Sequence, residues 1–378
     1  MKSGKHIKQL TGDLSYKAFV PNRLTDKLPF EINSQMLKKL SEADLMIGRL
    51  DGLVELLPDP DFFLLMYIKR EAASSAQIEG TRATFSDLLL HEAKIEDKTI
   101  PDDVKEITNY IDAMNYGVKR LKSLPLSLRL IKELHEILLT DTRGASKNPG
   151  EFRSSQNWIG GRTIELASYV PPPPVEMKEL LDNFEKYLHK KTDIPILLKI
   201  ALIHAQFEMI HPFLDGNGRI GRLLITFYMY HENVLKKPLL YLSNYFKHYR
   251  QEYYDRLHGI SSEVKYEDWL LYFLDGILTV SEDAINKTEK IVELREKDTG
   301  KIMSLGKAAK SGMKLLDYLY SNPVVTGNLV EEITGLSASN ARNLIYRFEE
   351  LKILNQIGKA KRNKRFHYNR YLELFSDE

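Results

Sequence analysis

Apolar positions recur at three-and-four spacing over most of the chain. Met36, Leu37, Leu40, Leu45, Ile47 and Leu50 mark the first such stripe, from Ile32 on, and Pro58-Asp59-Pro60 breaks it before a second run that begins with Phe62 to Ile68. Two successive helices are the economical prediction. Further helices are expected at 83–93, 102–122, 126–139, 175–189, 194–210, 218–233, 243–260 and 266–290. That share is far above what a typical globular chain devotes to helix, and it predicts a mainly α body. Ahead of it, segment 1–30 carries Pro21 and Pro29 and reads as an extended arm.

Two stretches break the helical period. Ser154 to Tyr169 places Trp158-Ile159 and Thr163-Ile164-Glu165-Leu166 on either side of Gly160-Gly161, a pair suited to a tight turn with positive φ, so a small β-hairpin is expected there. Pro171 to Pro174 then force an extended exit. Segment 296–310 is polar and poor in large apolar residues, which reads as a linker. Beyond it come a helix at Gly312–Leu319, a second at Val325–Ile333, a turn at Thr334-Gly335, a third helix at Ser337–Leu351 and a hairpin between Ile353 and Tyr368. This is the order of a winged helix-turn-helix.

A length of 378 residues allows two or three domains, and 43% apolar with 28% charged residues is the composition of a folded protein. The absence of cysteine excludes disulfides, Cys-ligated zinc, iron–sulfur clusters and thiol nucleophiles. A formal charge of +2 gives no global attraction to nucleic acid or membrane. With no signal-peptide core near the start and no long apolar run, a cytoplasmic protein without a membrane span is expected.

The chemistry concentrates in His211-Pro212-Phe213-Leu214-Asp215-Gly216-Asn217-Gly218-Arg219-Ile220-Gly221-Arg222. Pro212 ends one helix, and Gly216 to Gly218 turn the chain into the next, so the segment is helix, loop, helix. Loop N–H groups and the positive end of the second helix form an anion cradle, and Arg219 and Arg222, three apart, reach the same side. A polyphosphate is the natural occupant. Asp215 supplies a hard oxygen ligand for Mg²⁺, and His211 a base near neutrality. The GxGxxG match at Gly216 to Gly221 follows a helix rather than a strand, which argues against a dinucleotide fold. Glu208 and His211 make one Glu-x-x-His, half of a di-iron motif without its second copy.

HPFLDGNGRIGR resembles the signature of the Fic family, HPFx(D/E)GNGRxxR, without a mismatch. The resemblance implies a Fic-type helical core over roughly Leu126 to Val280, and transfer of AMP from ATP, with Mg²⁺, to a Ser, Thr or Tyr hydroxyl of a target protein or of the enzyme itself. It makes His211 the general base, Asp215 the Mg²⁺ ligand, Gly216, Asn217, Gly218 and Arg219 the binders of the α- and β-phosphates, and Arg222 the binder of the γ-phosphate. Ile220 and Gly221 complete the nucleotide-binding segment. Phe213 becomes a core anchor. The expected hairpin, at Ile159, Gly160, Gly161 and Arg162, takes the place of the family's flap, which aligns the target segment by main-chain pairing. Tyr253 and Tyr254 resemble the position where family members pack the adenine.

Far upstream, Ser75-Ala76-Gln77-Ile78-Glu79-Gly80 fits (S/T)xxxE(G/N), which resembles the family's inhibitory-helix motif in its N-terminal placement. The reading implies a bidentate Glu79–Arg222 pair that displaces ATP. It also leaves open removal of AMP, with Glu79 positioning water. The expected organisation is an N-terminal helical region over 1–100 with the inhibitory helix near 70–80, a catalytic core over 101–295 and a winged helix-turn-helix domain over 305–378. Lys359, Lys361, Arg362, Lys364, Arg365 and Arg370 give that last unit a basic tip, which admits DNA contact or, as the larger share, protein docking. A nucleotide-sensing DNA-binding regulator is the alternative function. Homodimers follow from the resemblance alone.

Overall fold

The computed structural model describes residues 2–11, 15–55, 60–93, 101–358 and 364–375. The body is helical, as the periodicity predicts. Helix α7 (Ile196–Ile210) is its axis, and it is buried around nearly its whole circumference, so it is apolar on every face rather than amphipathic. Around it pack α6 (Pro174–Leu188), α8 (Asn217–His231), α10 (Arg250–Glu263) and α11 (Tyr266–Met303). Trp269, fully buried on α11, donates its indole N–H to the Ala201 carbonyl of α7 at 3.0 Å, which satisfies the one polar atom it carries inside. Helices α4 (Val104–Arg120) and α5 (Leu128–Leu139) form a second layer beside α8.

Helix α1 (Ser34–Glu55) runs along α11, and α2 (Pro60–Ile78), followed by the short α3 (Phe85–Glu92), lies between α4 and α9 (Ser243–His248). The arm predicted as extended is a hairpin of β1 (Gly4–Gln9) and β2 (Tyr16–Pro21), with Gly4 opposite Pro21 and Gln9 opposite Tyr16. Its role is local: Phe19 N–H bonds the Val170 carbonyl at 2.8 Å, and Gln206 of α7 bonds the Asn22 carbonyl at 3.0 Å.

Three further expectations need correction. Ser154 to Tyr169 is not a hairpin. Gly160 and Gly161 do take positive φ, +69° and +73°, but Ile164–Leu166 closes a 3₁₀ turn, and only Ile159 and Tyr169 pair as a bridge. With Leu166 71% exposed, the second run has no apolar face to bury, so the alternation alone could not hold a strand. Nor is 296–310 a linker: α11 runs on to Met303. Its Asp298 is fully buried and accepts from Tyr368 at 2.6 Å and from Arg370 at 2.7 and 2.8 Å. The polar composition there reflects a buried ionic tie rather than solvent.

After α11 come α12 (Ala309–Ser321), β3 (Val324–Thr326), α13 (Gly327–Thr334), α14 (Ala338–Glu350), β4 (Asn355–Ile357), β5 (Arg365–His367) and α15 (Asn369–Glu373). Val325 and Thr326, read from sequence as the start of a helix, instead belong to β3, which pairs antiparallel with β5 in a sheet ordered β3-β5-β4. Lys359, Lys361 and Arg362 of the expected basic tip lie outside the described residues. Arg370, assigned to that tip, is the partner of Asp298. This unit also touches α2, where Lys69 donates to the Ser321 carbonyl at 2.7 Å and to Asn322 at 2.9 Å.

Candidate active site

His211 ends α7 in the left-handed conformation, φ 49° and ψ 60°. A non-glycine residue is uncommon there, and surrounding bonds must hold it. Arg153 supplies them. It is 2% exposed, and its guanidinium donates to the His211 carbonyl at 2.9 Å, to Pro172 at 2.6 Å and to Ser155 at 3.2 Å, while its own N–H bonds the Pro212 carbonyl at 2.9 Å. The loop beyond is closed by Asn217, whose side chain accepts from Phe213 N–H at 2.8 Å and donates to the Phe213 carbonyl at 2.9 Å. Phe213 is fully buried, its ring stacked 3.7 Å from that of His135. Gly150 N–H donates to His135 Nδ1, so Nε2 carries the proton and donates to the Asp215 carbonyl at 2.9 Å. Burial holds His135 down to about 4, so it is neutral and keeps this tautomer at physiological pH. Gly216, at φ +78°, turns the chain into α8.

Asn217→Ala would strand the buried Phe213 N–H and remove one of two donors to the Phe213 carbonyl, which also accepts from Asn157 at 2.9 Å. It is expected to cost about 1–3 kcal/mol, read as a fall in the urea midpoint. Asn217→Asp, which keeps the acceptor and loses the donor, is expected to cost about half of that.

The loop faces a cavity of about 790 Å³. His211, Gly218 and Arg222 line it together with Glu79 from the turn just after α2, Glu208 from α7, Ile159 and Gly160 from the flap loop, and Tyr253 and Tyr254 from α10. These eight of the residues singled out from the sequence, with Glu208, meet in one place, whereas Asp215 and Gly216 are not part of the lining. His211 Nδ1 is buried without a partner, and burial, aided by the Arg153 charge, pushes the imidazole down to about 4. It is therefore neutral and free to take a proton across the physiological range.

Arg222 is 2% exposed. Its Nη2 meets Glu79 Oε1 at 2.8 Å and the Ser75 carbonyl at 3.0 Å, and its Nε takes Ser75 Oγ at 2.9 Å. The pairing with Glu79 is thus through one nitrogen, not two. Ser75 occupies the nitrogen that a bidentate fork would need, and Nη1 remains buried with no partner. Gly80, at φ +93°, directly follows Glu79 in the turn after α2.

Several assigned side chains stand elsewhere. Asn217 braces the loop and leaves only its backbone for a phosphate. Arg219 is 1% exposed and points behind the loop, 3.5 Å from Glu106 Oε2 and 3.4 Å from Asp215 Oδ1. Ile220 is fully buried, and Ile220, Gly221, Gly161 and Arg162 do not line the cavity. Tyr253 is 1% exposed, with its hydroxyl donating to His204 Nε2 at 2.9 Å and its ring 4.5 Å from Phe246, so it is chiefly core with one edge at the cavity. Tyr254, 40% exposed, offers more surface.

Asp215 tests well as a cation ligand. Oδ1 takes the Gly216 N–H at 2.6 Å, Oδ2 makes no hydrogen bond among the described residues, and the side chain is 36% exposed. No three His, Asp or Glu side chains cluster among the described residues, but a Mg²⁺ completed by phosphates and water requires only one or two carboxylates.

Sequence reasoning missed Arg153, His135, Glu106 and the place of Glu208. The first two act on carbonyls and amides, which carry no residue-type signal. Glu106 is a buried hub: it accepts from Thr81 at 2.6 Å and pairs with Arg143 at 2.9 Å, and Arg143 also donates to the Glu79 carbonyl at 3.1 Å.

A helical body holds a neutral histidine beside a helix N-terminus and a buried arginine, with the Glu79 carboxylate seated on that arginine, an arrangement suited to an anion. The chain is a Fic-domain protein: the Fic/DOC family model matches residues 125–229, and the Fic/DOC family N-terminal model matches residues 37–119. It is 33% identical over 159 residues to protein adenylyltransferase Fic of Drosophila yakuba, and 32% identical over the same length to that of Drosophila melanogaster. Each match covers 40% of this chain and 30% of the relative, so the chain is matched to less than a third of the curated relatives' length. Among solved structures, a Fic family protein from Desulfovibrio desulfuricans superposes with a TM-score of 0.60 at 19% identity, covering 90% of this chain and 98% of that one. A Fic domain containing signaling protein from Bacteroides thetaiotaomicron gives 0.50 at 19%, covering 68% and 97%. Both are likenesses of fold. No described helix is long and apolar enough to cross a membrane.

Proposed function

We propose that the protein is a Mg²⁺-dependent adenylyltransferase that moves AMP from ATP to a hydroxyl of a protein, held in check by Glu79. The observation that carries the reading is the Glu79 carboxylate on Arg222 at 2.8 Å, beside the N-terminus of α8 and in the cavity that His211 lines: an internal anion sits where a phosphate belongs. The names of the Drosophila relatives support the same chemistry.

In this reading His211 takes the proton of the target hydroxyl as its oxygen bonds to the α-phosphorus, and the bond from that phosphorus to the bridging oxygen breaks, releasing pyrophosphate. Backbone N–H groups at the start of α8 hold the phosphates, and Arg222, freed from Glu79, takes the terminal one with Nη1 and Nη2. Asp215 would hold Mg²⁺, which supplies charge neutralisation across the phosphates. Tyr254 and the exposed edge of Tyr253 offer a face for the base. Ile159, on the flap loop and 39% exposed, offers main chain for a target segment. The unit after α11, in the order of a winged helix, is assigned to target docking.

Label from α-labelled ATP is expected on protein in the presence of Mg²⁺, and label from γ-labelled ATP is not. Chelation of the cation should abolish transfer. Stable γ-label on protein would overturn the assignment in favour of a kinase-type reaction.

A further inference from the structure

Glu208 has no part in the scheme above, yet it faces the cavity one turn before His211. Its Oε1 is buried without a hydrogen-bond partner, an arrangement that is costly unless a ligand completes it. The cavity wall is shaped for it. Gly218 and Gly221 lie three apart on α8, on the side of Arg222; a Cβ at 218 would collide with the Glu79 carboxylate, and a Cβ at 221 would collide with that of Glu208. Two carboxyl groups therefore flank one arginine, each seated against a glycine of the same helix. Glu79 is bonded to the arginine, and Glu208 is not.

We propose that Glu208 is a substrate-binding residue, a neutral carboxylic acid whose O–H donates to the phosphate chain of the nucleotide beside Arg222. This rests on the nucleotide reading above and deepens it. An ionised carboxylate at this place would repel a polyphosphate; the protonated form offers a donor without adding charge. The surroundings favour the protonated form. Burial pushes Glu208 up to about 8; Arg222 from α8 pulls the other way, and Glu79 from the turn after α2 adds repulsion while occupying the arginine. Tyr253 from α10 also faces it, neutral at any physiological pH because burial holds its phenol far above the usual range. His204 and His211, on its own helix, are held down to about 3 and about 4 by burial and add no positive charge. Once the nucleotide is bound, the terminal phosphate replaces Glu79 as the neighbouring anion, which keeps the proton on Glu208.

The test uses the full chain carrying Glu79→Gly, so that the brake does not compete, and inorganic tripolyphosphate as the probe, read by calorimetry. Its affinity is expected to fall as pH rises and Glu208 ionises, at a pH lower than in the chain that keeps Glu79, because the Glu79 charge that helps to raise Glu208 is gone. Adding Glu208→Gln, which keeps a neutral donor, should flatten that loss relative to the parent; the probe's own titration is common to both and cancels in the comparison. Adding Glu208→Ala should weaken binding about tenfold at pH 6.5, where the glutamic acid is intact. Thermal melts in the absence of probe confirm that each variant is folded, with Glu208→Gln as the isosteric control. Identical pH dependence in the parent and the Gln variant, or undiminished affinity in the Ala variant, overturns the role of Glu208. A parent that binds no tripolyphosphate at any pH overturns the nucleotide reading itself.

Discussion

Glu79→Gly is expected to raise AMP transfer to protein by about 10–100-fold at low ATP. The magnitude follows from competition inside one molecule. If Glu79 occupies Arg222 in all but a hundredth to a tenth of molecules, the apparent affinity for ATP is reduced by the same fraction, and removing the carboxylate restores it. A second readout separates this from a general loosening of the fold. Arg222 is 2% exposed, and removing the only carboxylate paired with it among the described residues leaves a buried charge less compensated, at a cost of about 2–3 kcal/mol because the Glu79 side chain is itself 30% exposed. The apo variant should therefore melt lower than the parent. ATP supplies a replacement anion, so the variant should gain more in melting temperature from ATP than the parent does. Glu79→Gln, which can still accept from Nη2 but carries no charge, should fall between the two. Equal ATP-induced shifts in parent and variant would count against competition at Arg222.

The Glu79–Arg222 pair is carried at the end of a helix held along its length. Glu71, Ser75 and Glu79 recur at four-residue spacing along α2 and into the turn that follows it. Glu71 is fully buried and accepts from Tyr110 at 3.1 Å, from Ser243 N–H at 3.0 Å and from the Ser243 hydroxyl. Ser75 and Glu79 both engage Arg222. On its opposite side α2 meets the last unit of the chain through Lys69, and beyond its end Thr81 and the Glu79 carbonyl reach Glu106 and Arg143. The backbone that carries Glu79 is thus tied to α4, to the loop after α5, to α9 and to α12.

What the sequence made legible is what lies close together along it. His211, Asp215, Gly216 and Arg222 fall in one continuous segment whose order dictates helix, loop and helix, so their places at a helix end, in a loop and on the next helix were readable from the letters alone. Ser75 and Glu79 were readable for a like reason: they fall in one short motif that resembles the family's inhibitory helix. The groups that hold the site were not. Arg153 works through carbonyls 58 and 19 residues away, and His135 through the Asp215 carbonyl 80 residues on. Such partners leave no trace in residue type. Asn217 and Arg219 were given phosphates because the motif is short, while packing turned the first onto Phe213 and the second onto Glu106. The flap was misjudged because Gly160-Gly161 specifies a turn but not the strands on either side. The polar run at the end of α11 looked like a linker because burial of Asp298 depends on Tyr368 and Arg370, 70 and 72 residues later.

His211→Ala, in the Glu79→Gly background, is expected to lower kcat by about 10²–10⁴-fold, the usual worth of a positioned general base. The KM for ATP should stay within about twofold, because phosphate binding rests on Arg222 and the start of α8 rather than on the imidazole. The backbone matters to the design of this test. His211 sits at φ 49°, where alanine is strained and asparagine is tolerated, so a loss seen with alanine alone could reflect a displaced loop. His211→Asn removes the base while suiting the conformation, and should match alanine in kcat while melting higher. The pH profile gives an independent check. A base acts when unprotonated, so kcat/KM falls as pH drops through the pKa of the free enzyme's imidazole, which burial has moved to about 4. Activity should therefore hold level from neutrality down to about pH 5, without the inflection near pH 6.5 that an exposed histidine gives. Transfer that persists at the parent rate in both variants would remove His211 from the chemistry, whatever holds the nucleotide.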